Sequence, residues 1–513
     1  MALSAADLSV TVAPHDILPS THLKTLIPCL ALFVASTHAA ESWPQFRGPN
    51  GAGIAADAAR PPTVFGPDKN VRWEAVVPRG VSSPIVAGDR VFVTGVAGGA
   101  IVTLAFGTKD GRELWRKALP VERLEKVHGF SSPASATPCT DGQRVFVYAN
   151  SFGVVAYDFA GKELWQRPLP VQNVEYGSGN SPVLAGGSVI VLRDGTSADS
   201  HLLALDPATG ATAWDSPRPF ARSSHATPMV WRHDGIEELI VKGRGRVAGY
   251  NPANGEMRWW VNGWGNAAIA TAVAADGLLF VGSKGTGDPS EPPPPELNWD
   301  KLVAAYDADR DGSLALEEVP KELLFHIRKE IPVTTPGNSM SIRSLLQKYI
   351  DGNKDGKVTK EEWDTAMTGF TGPQNRDRFV AIRPGGQGDV SATHIAWETT
   401  KGLNEMASPL VYRGRVYVVA DGGRVSAFQP ATGARLIDRQ PLGAPGQYVG
   451  SPVAANGLVY FVSEAGTVTI LRAGDAFDIV AQVELKESVR STPAIVGRSL
   501  YVRSIERLWA FAE

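Results

Sequence analysis

Two twelve-residue stretches carry oxygen-bearing side chains at a fixed rhythm. The first, DADRDGSLALEE, runs from Asp307 to Glu318, and the second, DGNKDGKVTKEE, from Asp351 to Glu362. Positions one, three and five are Asp307, Asp309 and Asp311 in one, and Asp351, Asn353 and Asp355 in the other. Position seven, Ser313 or Lys357, contributes a main-chain carbonyl. Position twelve, Glu318 or Glu362, can bind through both carboxylate oxygens, and Gly312 or Gly356 at position six permits the sharp turn. A donor set that is all oxygen and high in count suits calcium better than magnesium, which keeps most of its waters. Thr359 offers an oxygen at position nine. Ala315 offers none, so water must fill that place.

A lone acidic turn of this kind is usually just solvated. Two complete loops, each closing on Glu, carry more weight. The stretches NWDKLVAAY and SIRSLLQKYI precede them with apolar residues at helical spacing. They read as the entering helices of an EF-hand pair, with Leu314 and Val358 meeting in a short β-bridge. A proline-rich tether, DPSEPPPPE, opens the segment, and it ends near TGPQN. The predicted module is 288–375, with calcium in a structural rather than a switching role.

The chain around this module is of another kind. It holds 513 residues with 53 Gly, 37 Pro and 13 Trp, a mixture that suits short strands joined by tight turns. A net charge of −3 without long runs of one sign gives no electrostatic footprint for nucleic acid. One strand pattern recurs eight times: RVFVTG from Arg90, RVFVYA from Arg144, SVIVLR from Ser188, ELIVKG from Glu238, LLFVGS from Leu278, RVYVVA from Arg415, LVYFVS from Leu458 and SLYVRS from Ser499. Apart from the interval that contains the calcium loops, the spacing is that of propeller blades. A hydroxyl residue and proline precede most copies, Ser132-Pro133 being taken for the second and Thr271-Ala272 departing in the fifth. A Gly-containing turn and an aromatic follow, ending at Trp115, Trp165, Trp214 and Trp259, each expected to pack on the next unit. Ile437 and Val480 take that place later. The fold class expected is all-β: an eight-bladed propeller of four-stranded antiparallel blades with a small α-helical insertion. The last repeat has room for three strands, so NVRWEAVV, from Asn70, is predicted to supply its fourth. The propeller then comprises 41–287 and 376–513.

Residues 1–40 read as a secretory signal. Lys24 precedes the apolar run LIPCLALFVAS, and small residues follow before a cut near Ala39 or Ala40. The run is too short to span a bilayer, which takes about 20 residues. Of the two cysteines, Cys29 would leave with the signal, and Cys139 would remain as a buried small residue. The mature chain is expected to be periplasmic or secreted, monomeric, and without a transmembrane anchor.

The blade motif LDPATGATAW and the preamble WPQFRGPNGAG, from Trp43, resemble the PQQ-like (quinoprotein-type) β-propeller family. That family includes pyrroloquinoline quinone (PQQ) dehydrogenases and the non-catalytic propeller lipoprotein of outer-membrane protein assembly. The resemblance covers Trp43 to Glu513 apart from the insertion, and it implies the propeller fold. The adjacent cysteine pair of many quinoprotein alcohol dehydrogenases has no counterpart here, and no Cys-x-x-Cys-His haem motif occurs.

Segments preceding the innermost strands should line the mouth of the central funnel. They offer Arg79, His128, Tyr176, Asn180, Arg222, His225, Trp264, Asn266, Asn404, Glu405, Tyr448 and Arg490. Cationic and aromatic groups around a concavity suit a planar anion, such as a quinone tricarboxylate or a sugar acid. The insertion follows the second strand of its blade, so it should stand on this same face. Two functions remain open at this level. One is an exported, calcium-binding, non-catalytic scaffold that meets a protein partner or small ligand at the funnel. The other is a periplasmic PQQ-dependent alcohol or sugar dehydrogenase.

Overall fold

Each recurring apolar run forms the second strand of a four-stranded antiparallel sheet, and eight such sheets make a β-propeller. The computed structural model describes residues 42–513, apart from 197–198, 266–267, 285–296, 327–338, 372–376, 402 and 405. Residues 1–40, expected from sequence to be a signal, and part of the insertion therefore lie outside the described residues. Second strands such as Arg144–Ala149 are buried on both faces, because each blade is sandwiched between two others. Outermost strands such as Glu163–Pro168 bury one residue, Trp165, and expose the rest.

The short innermost strands are tied to one another by a belt of hydroxyl groups. The Ser83 amide donates to Thr137 Oγ1, Thr137 to Ser181 Oγ, and Ser181 to Thr227 Oγ1, each at 2.9–3.0 Å. Thr271 donates to Ser408, Ser408 to Ser451, and Ser451 to Thr492, all at 3.0 Å. Thr492 closes the ring on Ser83 Oγ at 2.9 Å. All of these residues are buried. The belt residue of the second blade is thus Thr137, followed by Pro138, and not Ser132. Ser132 instead forms a local turn with Ala134 and Ser135. The break is at Thr271, whose Oγ1 has no partner among the described residues.

A second set of seams uses tryptophan. Trp115, Trp165, Trp214 and Trp397 each sit opposite an alanine on the third strand, at a register shift. Their indole N–H groups donate to Phe159, Pro207, Pro252 and Pro430 carbonyls of the next blade at 2.7–3.0 Å. The ring lies on the glycine of the next blade's turn. At Gly161, φ is +84° and a Cβ would come within 2.8 Å of Trp115. Trp259 departs from the expectation: its indole N–H bonds Glu238 Oε2 within its own blade. In the seventh blade the register places Ala481, not Val480, at the tryptophan position, and Val480 is the extra residue of the bulge.

Closure follows the predicted route. Val71–Val76 pairs antiparallel with Arg507–Ala512, the chain's last strand. Trp73 then donates to the Thr108 carbonyl of the first blade at 2.9 Å. Residues 42–60 cross the channel end away from the belt, with bridges from Trp43 to Val86 and from Ile54 to Ala454.

The insertion departs after Leu278–Ser283 and returns at Arg378–Ile382, the second and third strands of the fifth blade. It has its own core, including Trp299, Leu302, Ile342, Ile350, Val358 and Trp363. Helix Trp299–Tyr306 is capped by Asn298, whose Oδ1 accepts the Lys301 amide. Ile342–Leu345 continues into a wider turn over Leu346–Ile350, and Lys360–Thr371 forms the last helix.

Replacing Ser83 by Ala orphans the buried Thr492 amide at the closing seam. A lowered urea midpoint equivalent to about 1–3 kcal/mol is expected. Gly161→Ala, which forces strain against Trp115, should cost about as much. Unchanged midpoints for both would show that these seams do not hold the ring.

Candidate functional site

The two acidic loops share most of their internal hydrogen bonds. At position one, Asp307 Oδ2 accepts the Gly312 amide at 3.0 Å and Asp351 Oδ2 accepts that of Gly356 at 3.1 Å. At position twelve, Glu318 Oε1 reaches back to the Asp309 amide at 3.4 Å, and Glu362 Oε1 to that of Asn353 at 3.3 Å. Their second oxygens accept the position-nine amides of Ala315 at 2.9 Å and Thr359 at 3.0 Å. Thr359 Oγ1 adds a bond to Glu362. Asp311 Oδ1 takes the Ser313 amide, and Asp355 Oδ1 that of Lys357, both at 2.8 Å. These bonds curl each loop into a tight turn. In the first loop, one oxygen each from Asp307, Asp309 and Asp311 lies within 4.8 Å of the others.

A two-residue ladder, Leu314–Ala315 with Lys357–Val358, joins the loops back to back, with Leu314 opposite Val358. Both side chains are fully buried. The loops differ in two respects. Lys357 Nζ crosses to Asp311 Oδ2 at 2.5 Å, and its hydrogen bond holds that carboxyl down at about 2. In the second loop, Asp351 is 7 % exposed, and its Oδ1 has no partner among the described residues. An unmet buried carboxylate oxygen is costly, and a cation would satisfy it.

At the mouth, three inter-blade loops bring rings together, and a fourth adds Arg490. His128 stacks on Phe130 at 5.4 Å and meets Tyr176 edge-on at 5.5 Å, while Tyr176 lies 6.3 Å from His225. The His128 amide donates to the Tyr176 carbonyl at 3.1 Å. Arg490 covers Phe130 at 4.8 Å and donates to the Gly129 carbonyl at 2.8 Å. Tyr176 is exposed and holds φ at 70°, an uncommon conformation for a ring-bearing residue. Partial desolvation is the main cause of its raised pKa. Glu175 and then Tyr349, on the turn leading into the second acidic loop, add to it. Tyr349 of the insertion is thus close enough to Tyr176 to act on its ionisation. Sequence reading missed Phe130 and Tyr349. Phe130 stands two residues after the expected His128, whereas only tertiary contact selects Tyr349.

Other expected mouth residues serve different purposes. Arg79 pairs with Glu506 at 2.6 Å, and Arg222 bonds the Pro219 and Ala221 carbonyls of its own loop. Arg490 is also paired, with Glu464. Asn180, Trp264, Asn404 and Tyr448 are buried. Asn180 donates to Ser224, Trp264 to Val261, Asn404 to Ala407, and Tyr448 to Ala444. Asn266 and Glu405 lie outside the described residues. The groups that do converge are His128, Tyr176, His225 and Arg490, with Phe130 between them.

His225 is half-buried. Desolvation, and then the positive charge of Arg244, push its pKa down to about 4. A folded-state value below the unfolded one of about 6.5 means that the unfolded chain binds the proton more readily. The contribution is fully present above about pH 6.5 and declines as pH falls toward 4. In His225→Gln, stability should vary less with pH across that window. A slope equal to wild type in parallel urea titrations would disprove the burial effect.

A comparison with curated protein sequences finds no match. Among solved structures, the computationally designed Ika8 protein aligns with TM-score 0.51 at 10% identity, covering 86% of this chain and 100% of its own. BamB from Moraxella catarrhalis aligns with TM-score 0.49 at 14% identity, covering 86% of this chain and 98% of its own. The quinohemoprotein alcohol dehydrogenase ADHIIG from Pseudomonas putida HK5 aligns with TM-score 0.49 at 12% identity, covering 92% and 80%. At such identities the Ika8 likeness speaks for the fold alone, and the other two carry no argument. No helix among the described residues is long and apolar enough to cross a membrane. The family model described as outer membrane protein assembly factor BamB matches residues 101–285 and 388–513, on both sides of the insertion. The chain thus belongs to the PQQ-like β-propeller family that this description represents.

Proposed function

We propose that this protein is an exported, non-catalytic propeller scaffold whose inserted EF-hand pair binds calcium and, together with the aromatic mouth, presents a surface to a protein partner or small ligand. The observation that carries the reading is the buried Asp351 Oδ1, unpartnered among the described residues in a loop curled by the hydrogen bonds of Asp351, Asp355 and Glu362. Asp351, Asn353, Asp355, the Lys357 carbonyl, Thr359 and Glu362 would hold the ion in the second loop. Asp307, Asp309, Asp311, the Ser313 carbonyl and Glu318 would hold one in the first. When bound, calcium supplies charge compensation and stiffening of the paired loops, not chemistry on a substrate. Family membership supports a scaffold role and passage across the inner membrane, since the family's described member is an outer-membrane assembly factor.

The second loop is the stronger site in this reading. The first lacks an oxygen at Ala315, and Lys357 already neutralises one of its carboxylates. Calorimetric titration with calcium tests both points. Asp351→Ala combined with Glu362→Gln should remove the tighter binding event, and unchanged stoichiometry would reject the calcium reading. Lys357→Met should tighten the weaker event by about two- to fivefold, the worth of an exposed ion pair.

The same purified chain can be offered PQQ with calcium and assayed for dye reduction with alcohols and sugars. Turnover would replace the scaffold reading with a quinoprotein dehydrogenase. Against that outcome, Arg79 and Arg490 are engaged by carboxylates and Arg222 by its own loop.

A further inference from the structure

Residues 42–60 close the channel at the end away from the mouth. Trp43 exchanges both main-chain bonds with Val86, at 2.7 and 2.9 Å, and the Pro44 carbonyl accepts the Thr140 amide at 2.9 Å. Asn50 Oδ1 accepts from Arg232 at 2.9 Å. The Gly53 carbonyl and the Ala55 amide bond Ala454 at 2.8 and 2.9 Å, and the Arg60 amide bonds the Gly497 carbonyl at 2.8 Å. The segment thereby reaches the first, second, fourth, seventh and eighth blades, and satisfies inner strand edges that would otherwise be open.

Within this plug, Arg47 is 0 % exposed and its backbone holds φ at 62°. Its Nη2 donates to the Pro409 carbonyl at 2.6 Å, one residue beyond the belt hydroxyl of Ser408, and to the Ala52 carbonyl at 3.4 Å. Nε and Nη1 have no acceptor among the described residues, and neither does the fully buried Trp43 Nε1. Burial alone pushes the Arg47 pKa down to about 9, with no carboxylate opposing it. Arg503 is also buried without a carboxylate, yet both of its terminal nitrogens are engaged, by Ser82 and Pro78.

Leaving a guanidinium desolvated and unpaired costs several kcal/mol, roughly, and such charges are retained when something compensates them. Every unmet buried side-chain atom in the plug is a hydrogen-bond donor, so the missing partner is an acceptor. The charge is positive, so the partner is negative. One guanidinium calls for one charge. The surroundings are tight: a Cβ on Gly53 would lie 3.0 Å from Leu410 and 3.2 Å from Arg47 Nη2. We propose that the plugged end of the channel holds a small monovalent anion, a halide or a short carboxylate, bound by Arg47 through Nε and Nη1.

Crystals of the full chain grown in sodium bromide, and separately in sodium formate, test the site directly. An anomalous bromide peak, or planar formate density, within hydrogen-bond distance of Arg47 Nε or Nη1 is the expected result. Which of the two appears distinguishes halide from carboxylate. Water alone at that position in both salts overturns the proposal. In solution, thermal unfolding of wild type and Arg47→Met is compared across bromide and formate series at constant ionic strength. An anion-dependent rise in the wild-type midpoint, lost in Arg47→Met, supports specific binding, because a ligand of the native state raises its stability. Parallel responses reject it. If Arg47→Met does not fold, the bromide and formate maps of the wild type decide the matter.

Discussion

A hydroxyl oxygen that accepts its neighbour's amide is the interaction on which this ring depends. Innermost strands are the shortest in each blade, and on their channel side they have no further strand to pair with. Without a partner from the next blade, the amide at the start of each would be buried and unmet. Ser83, Thr137, Ser181, Thr227, Ser408, Ser451 and Thr492 provide that partner at the cost of a single small side chain per blade. Proline follows each of them because the next position has no ladder bond to make. The belt fixes the distance between successive blades near the axis, and the tryptophans fix it near the rim. Together they leave one way to close, with the strand from Val71 entering beside the last.

The seam between the fourth and fifth blades is where this scheme is suspended. The Thr271 hydroxyl has no partner among the described residues, the His225 and Ala226 amides both turn to the Ala268 carbonyl, and Trp259 folds back onto its own blade. Other contacts take over. A loop of the fifth blade adds Gly388–Asp389 as a fifth strand beside Trp259 and Trp260. Arg378 reaches the Asn262 and Gly263 carbonyls and covers the Trp264 ring at 5.0 Å. The buried Lys242 donates to the Gly282 carbonyl across the seam at 2.6 Å. This is also the blade that carries the insertion. A seam held by long side chains and an added strand, rather than by the belt, accommodates a second and third strand parted by a separate module.

Much of the architecture was legible because its causes are local. Strand periodicity, turn glycines and the Ser/Thr-Pro pairs recur at blade spacing, and they led to eight blades and the closing strand. The acidic loops were legible for the same reason: position one, position six and position twelve act on one another within twelve residues. Misreadings arose where two local signals competed. Ser132-Pro133 and Thr137-Pro138 stand five residues apart, and only packing against Ser83 and Ser181 selects the second. A bulge moves the tryptophan place from Val480 to Ala481, a shift that depends on pairing with Ile470.

What the sequence determined alone is whatever depends on neighbours in the chain: the repeat, the strand and turn chemistry, and the curl of both acidic loops. Tertiary structure decided what depends on partners hundreds of residues away. It made belt members of hydroxyl groups that looked like strand-start residues. It buried Asn180, Asn404, Trp264 and Tyr448, and spent Arg79 on Glu506. It gathered His128, Tyr176 and His225 from separate blades, and set Arg47 of the preamble inside the channel. The physical reason is that hydrogen-bond partners and burial belong to the closed ring, whereas periodicity and turn propensity belong to each unit by itself.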